Sequence, residues 1–115
     1  MCRKFDLEER TTNFAKKVIS LCKKLPKNSI NDRLINQVVG ASGSVGANYR
    51  EANDSLGKKD FLQRLKISRR EAKESHHWLD LIAVANEDIK NETSPLLTEA
   101  LELKNILSAI IKKFE

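Results

Sequence analysis

The sequence predicts an all-α fold, a four-helix bundle, and three observations carry that prediction. Apolar residues recur at alternating steps of four and three along most of the chain, the spacing that lines one face of a helix. Aromatic residues make up only 5% of the chain. The core must therefore be Leu, Ile, Val and Ala, which suits packed helices better than a sandwich or barrel. Two prolines and four glycines leave little turn chemistry for many strands. A chain of 115 residues forms one domain with one modest core.

The first helix runs from about Asp6 to Lys24, with Phe14, Val18, Leu21 and Leu25 as its seam. Asp6 followed by Glu9 resembles a capping box. Leu25-Pro26 ends the helix, because the residue before proline disfavours the helical region. The second runs from about Ser29 to Ala52 along Leu34, Val38, Ala41, Val45, Asn48 and Ala52. Asn28 or Ser29 can cap it. The third runs from about Lys58 to Asn91, capped by Asp54 or Ser55. Its seam is Phe61, Leu65, Ser68, Ala72, Ser75, Leu79, Ile82, Asn86 and Ile89. At about 1.5 Å per residue it spans roughly 50 Å, so it should project beyond its neighbours or line an assembly. The fourth opens at Thr93-Ser94-Pro95, a cap followed by proline in the first helical position. It runs to about Lys113 along Leu96, Ala100, Leu103, Leu107, Ile110 and Phe114. Short connections favour antiparallel neighbours, hence an up-down-up-down order.

Three of the four glycines fall in the second helix, at Gly40, Gly43 and Gly46. Each costs a helix about 1 kcal/mol relative to alanine, and close helix–helix approach is the natural offset. Gly40, Gly43, Ser44, Gly46 and Ala47 are accordingly expected to form a close-packing surface. A second apolar set lies off the seams: Leu62, Trp78, Leu81 and Ala85 on the third helix, and Leu97, Leu101 and Ile111 on the fourth. A bundle has one interior, so helices apolar on two sides point to a homo-oligomer interface.

Most chemistry can be set aside. Bundle metal centres use two Glu-x-x-His motifs and two more Glu, but Glu74–His77 is one motif and the only histidines are His76 and His77. Gly40-Ala41-Ser42-Gly43 lacks the strand–turn–helix context of a nucleophile elbow. The stretch to Gly46 lacks the Gly-Lys-Ser/Thr ending of a phosphate loop. Glu71 and Glu74 are spaced as paired carboxylates, with Arg70 and Lys73 their nearer partners. No catalytic residue and no cofactor is expected. Cys2 and Cys22 form no CxxC motif or disulfide framework, and Cys22 fits a small core residue. No apolar run approaches the roughly 20 residues of a membrane-spanning helix, and MCRKFDLEER has no apolar signal core. The cytoplasm is the expected location.

A net charge of +5 favours an anionic partner such as RNA or DNA. Lys58, Lys59, Arg64, Lys66, Arg69, Arg70 and Lys73 crowd the start of the third helix, and Lys59, Lys66, Arg70 and Lys73 share one face. Arg50 can extend the patch from the second helix. Such a row contacts phosphates at regular spacing without reading sequence. The alternative is a solvated face paired with Asp60, Glu71 and Glu74.

With these features in place, the chain resembles the four-helix-bundle proteins encoded within intervening sequences of bacterial 23S ribosomal RNA genes. Asn48 and Glu51 match the Asn-x-Ala-Glu-Gly end of that family's second helix. Lys58-Lys59-Asp60-Phe61 matches the Lys-Lys-Asp-Phe start of its third, and Arg70-Glu71-Ala72 with Glu74-Ser75 is similar to its Ser-x-x-Glu region. Tyr49-Arg50 and Ala52 depart from the pattern. The resemblance implies a homopentamer with a central channel and no settled activity. A similar bundle is the accessory protein of diversity-generating retroelements, which implies a nucleic acid or a reverse transcriptase as partner. Asn48 and Glu51 are expected to be structural, satisfying backbone groups or neighbouring helices.

Overall fold

The computed structural model describes residues 4–115, with side chains from Asp6 onward; Cys2 lies outside the described residues. Four α-helices and one 3-10 turn make up the described chain: α1 (Lys4–Lys23), α2 (Ser29–Asn53), α3 (Lys58–Ala85), the turn Glu87–Ile89, and α4 (Lys90–Phe114). They pack in a closed cycle. α1 lies against α2, α2 against α3, α3 against α4, and α4 back against α1, with no close backbone approach across either diagonal among the described residues. The α2–α3 interface is the most extensive and the α1–α4 seam the thinnest.

Side-chain bonds show which ends meet. Arg50 and Asn53, near the end of α2, reach Glu8 near the start of α1. Asn31 at the start of α2 bonds Asn86 just beyond α3. Lys66 near the start of α3 lies 3.4 Å from Glu115 after α4. Lys24 after α1 bonds Glu92 in the first turn of α4 at 2.6 Å.

The heptad seams are the core. Phe14, Val18 and Leu21 of α1, Val38, Ala41, Val45 and Ala52 of α2, and Leu65, Ala72, Leu79 and Ile82 of α3 are all buried. All of these but Ala41 join one cluster with Leu96, Ala100, Leu103 and Leu107 of α4. α2 and α3 both bury small residues, Ala41 and Ala52 on the one and Ser68, Ala72 and Ser75 on the other. The Ser68 hydroxyl donates from α3 to the Val45 carbonyl of α2 at 2.7 Å. Ser75 instead donates within its own helix, to the Glu71 carbonyl at 2.8 Å. No buried side-chain nitrogen or oxygen among the described residues lacks a partner.

Five local expectations need correction. α1 already begins by Lys4, so Asp6 sits inside its first turn, where a carboxylate favours the positive end of the dipole, and is not the cap. Gly57, not Asp54 or Ser55, precedes the first residue of α3, with an extended backbone, and Asp54 instead closes α2. α3 ends at Ala85, so at about 1.5 Å per residue it spans about 42 Å. It therefore falls short of the roughly 50 Å expected and is only three residues longer than α2 and α4. α4 begins at Lys90, which puts Pro95 inside a helix rather than at its first position. There it forfeits one intrahelical hydrogen bond. Finally, Ile111 takes the core position at the end of α4, while Ile110 is half-buried and Phe114 exposed.

The break after α3 has a definite cause. Asn86 is 5% exposed and Asn31 is 1% exposed. Their amides bond reciprocally: Asn31 Nδ2 donates to Asn86 Oδ1 at 3.0 Å, and Asn86 Nδ2 to Asn31 Oδ1 at 2.8 Å. Asn86 Nδ2 also donates to the Ile82 carbonyl at 3.0 Å, one of the carbonyls a helix end leaves open. Asn31 Nδ2 donates to the Pro26 carbonyl at 2.8 Å, and its backbone N–H donates to Asn28 Oδ1 at 2.8 Å, the cap of α2. An asparagine whose amide competes for backbone partners ends a helix readily. The burial phase nevertheless continues through the turn, since Asn86 and Ile89 are both buried.

Asn86→Ala is expected to destabilise the protein by about 1–3 kcal/mol, because the Asn31 amide is left partly unpaired in the core. Asn31→Ala should cost a similar amount, and the double variant less than the sum. Urea denaturation of the three variants measures this. A second pair of substitutions separates the glycines. A Cβ on Gly46 would lie 2.9 Å from Thr11 Oγ1 and 3.3 Å from Thr11 Cβ, whereas one on Gly43 meets nothing within 4 Å. Thr11 is fully buried and cannot swing away. In thermal unfolding, Gly46→Ala should lose about 1–3 kcal/mol, while Gly43→Ala should gain up to about 1 kcal/mol.

Candidate nucleic-acid interface

The face of α3 opposite its seam carries Lys59, Lys66, Arg70 and Lys73, all exposed. They are held there because the seam residues Leu65, Ser68, Ala72 and Ser75, interleaved with them, are fully buried. From Lys59 to Lys73, fifteen residues, the row extends about 21 Å along the helix. Two shallow hollows follow it. One, about 530 Å³, is lined by Lys59, Leu62, Gln63, Lys66, Ile67 and Arg70. The other, about 360 Å³, runs on from Lys66 and Arg70 to Lys73, His77 and Trp78.

These cations are weakly neutralised. Lys66 lies 3.4 Å from the exposed Glu115 and Arg70 lies 3.8 Å from the half-buried Glu71, both loose contacts. Among the described residues, Lys58, Lys59 and Lys73 have no acidic partner within 4.0 Å. Exposed pairs of this kind contribute little to stability, so the row is not a structural ion-pair network. Burial holds the Glu71 carboxyl above the usual carboxylate range; the charge of Glu74 adds to this and Arg70 opposes it.

Other predicted members are placed differently. Arg50 does not extend the row: its guanidinium is engaged with α1, donating to Glu8 Oε1 at 3.1 Å, the Glu8 carbonyl at 3.3 Å and Thr12 Oγ1 at 2.9 Å. Arg64 and Arg69 flank the row. Arg64 leans toward α2, donating to Asn48 Oδ1 at 3.4 Å, and Arg69 toward Ser108 of α4 at 3.5 Å. Asn48 also donates to the Ser44 carbonyl at 2.9 Å, the structural role its position indicated. Glu51 is exposed.

Of the three glycines expected at a close-packed surface, only Gly46 lies against another helix, at Thr11. Gly40, Gly43 and Ala47 are exposed and Ser44 is half-buried, so this stripe lies on the outer side of α2. The correction has a simple origin. Glycine spacing alone does not say which flank faces a neighbour, and Gly46 alone falls on the α1 side. Of the second apolar set, Ile111 belongs to the core, while Leu62, Trp78 and Leu97 are half-buried against it. Leu81, Ala85 and Leu101 are exposed.

Sequence reasoning missed Arg10. Its guanidinium bonds Glu99 through two nitrogens at 2.7 and 2.8 Å and Glu102 at 2.7 Å, closing the α1–α4 seam. Hydrogen bonding to Glu99 raises the Arg10 pKa further above its usual value. Nothing in the local spacing signals partners so far along the chain. A cleft of about 490 Å³ beside this cluster is lined by both signs of charge, including Asp6, Glu9, Lys17 and Glu99. Glu74 and His77 are exposed, facing away from the bundle interior where a bundle metal site would be built. Burial pushes the Cys22 thiol up to about 11, which leaves it protonated and unreactive at neutral pH. No helix of the described chain is long and apolar enough to cross a membrane.

These features define a small all-helical protein whose distinctive surface is one basic helix face. The chain belongs to the 23S rRNA-intervening sequence protein family, whose model matches residues 3–109. This establishes the membership to which Asn48, Glu51 and Lys58–Phe61 pointed. A crystal structure at 1.70 Å resolution of a protein with unknown function from the S23 ribosomal protein family, from Bacteroides thetaiotaomicron VPI-5482, is similar in fold. It has a TM-score of 0.82 and 24% sequence identity, covering 92% of this chain and 98% of that one. At that identity the likeness establishes the fold alone. No curated protein matches the sequence at a significant level.

Proposed function

We propose that this protein is a non-enzymatic, homo-oligomeric bundle in up-down-up-down order that binds RNA through the basic face of α3. The carrying observation is the exposed row Lys59, Lys66, Arg70 and Lys73, left largely unneutralised while Arg10 and Arg50 hold their carboxylates at 2.7–3.1 Å. A row of free cations gains affinity by releasing the counterions of a polyanion, independently of base sequence. The name of the family refers to 23S rRNA, which agrees with this partner class.

Assembly rests on separate ground. Gly40, Gly43 and Ala47 present an exposed small-residue face on α2, and Leu81, Val84 and Ala85 leave apolar surface at the far end of α3. Exposed apolar area beyond the core is a normal mark of an interface. The pairwise meeting of helix ends supports the up-down-up-down order, and the family resemblance supports a homopentamer repeating the basic face around a ring.

Binding of a structured RNA should fall steeply with salt. Four phosphate contacts per protomer give a slope of about −3.5 in log affinity against log salt on duplex regions. The double variant Lys66→Glu/Arg70→Glu should weaken binding and reduce that slope by about 2. Absence of binding at low salt, or an unchanged slope in the double variant, would count against the reading. Light scattering at micromolar concentration should give a mass of several protomers, and Gly43→Leu should lower it. A monomeric mass for the parent chain would remove the assembly.

A further inference from the structure

The second hollow on α3 contains something a purely electrostatic face does not need. Beyond Lys66, Arg70 and Lys73 it ends on His77 and Trp78. The two rings meet edge to face, with centroids 4.8 Å apart and planes at 64°. Trp78 is half-buried, its side chain packed partly on the core and partly lining the hollow, so the ring is held in place. His77 is exposed. A fixed aromatic surface at the end of a cation row matches what single-strand binders use: cations track the phosphates while bases stack on rings. The one acidic group lining this hollow, Glu74, lies on the Trp78 flank of the row.

We infer that α3 binds single-stranded nucleic acid, with a base stacked on Trp78 and its neighbouring phosphates on Lys66, Arg70 and Lys73. The inference deepens the charge-driven reading above and rests on it. A duplex keeps its bases paired and stacked inside, so it engages the cation row but not the ring. An unpaired strand engages both. The preference is for strandedness and is tolerant of base identity, because every base offers a flat π face.

Trp78 is the only tryptophan in the chain, so its fluorescence reports on this site in the unmodified protein. Titration with a ten-nucleotide oligouridylate at low salt is expected to quench that fluorescence saturably. An RNA duplex of equal phosphate content should bind with little quenching. Trp78→Ala should weaken oligouridylate binding by roughly 5- to 150-fold, the range found for losing one stacked base, and leave duplex affinity nearly unchanged. Trp78→Phe should restore most of the strand preference, and circular dichroism of both variants checks the fold. Strand and duplex binding equally, with unchanged fluorescence in the parent protein, would overturn the stacking and leave the electrostatic reading standing. That is also the outcome if Trp78 is covered between copies of the chain. Binding of neither would remove both.

Discussion

Two buried amides hold this fold in register. Asn31 and Asn86 bond each other reciprocally, and through further bonds they fix the Pro26 carbonyl, the cap of α2 and the last turn of α3. Hydrophobic seams alone tolerate sliding, since Leu, Ile and Val fill similar holes one heptad away. A buried amide does not. Shifting α3 against α2 would strand two polar groups in the core, each at a cost of about 1–3 kcal/mol, against a total stability of about 5–15 kcal/mol for a domain. The same pair sets where α3 stops, and so where α4 begins and which of its residues reach the core.

The hydrophobic periodicity made the helices and most of the core legible. Val38, Val45, Leu65, Leu79 and Leu103 lie where their spacing put them, because burial of one face is what the spacing encodes. What was not legible involved partners distant in sequence. The third seam passes through Asn86 without a fault, so periodicity could not show the break there; only the buried partner Asn31, 55 residues away, explains it. Arg10 and Arg50 look like any surface cation until Glu99 and Glu8 are seen against them. The glycine-rich stretch encoded low bulk, but not direction: Gly46 faces Thr11 while Gly40 and Gly43 face outward.

Charge is accordingly divided between two tasks. Arg10, Lys24 and Arg50 tie α1 to its neighbours through carboxylates at 2.6–3.1 Å. On α3, Lys59, Lys66, Arg70 and Lys73 face solvent, and of these only Lys66 and Arg70 have a carboxylate within 4.0 Å among the described residues. A net charge of +5 says only that some cations are in excess. The fold decides which ones, and it aligns four of them, Lys59, Lys66, Arg70 and Lys73, along one exposed face of α3. Trp78 lies at the end of that row, held partly by the core, where neither charge nor burial alone accounts for a large aromatic ring.

The closed cycle of helices has a kinetic meaning as well. Three of its four contacts join helices that follow one another in the chain, so each can form after closing only a short loop. The fourth, between α1 and α4, brings together Arg10 and Glu99 across 89 positions. Loop closure becomes costlier with length, and contacts local in sequence assemble faster than remote ones. On these grounds the extensive α2–α3 contact is favoured to form early. The guanidinium of Arg10 fastens the one contact between helices that is remote in sequence.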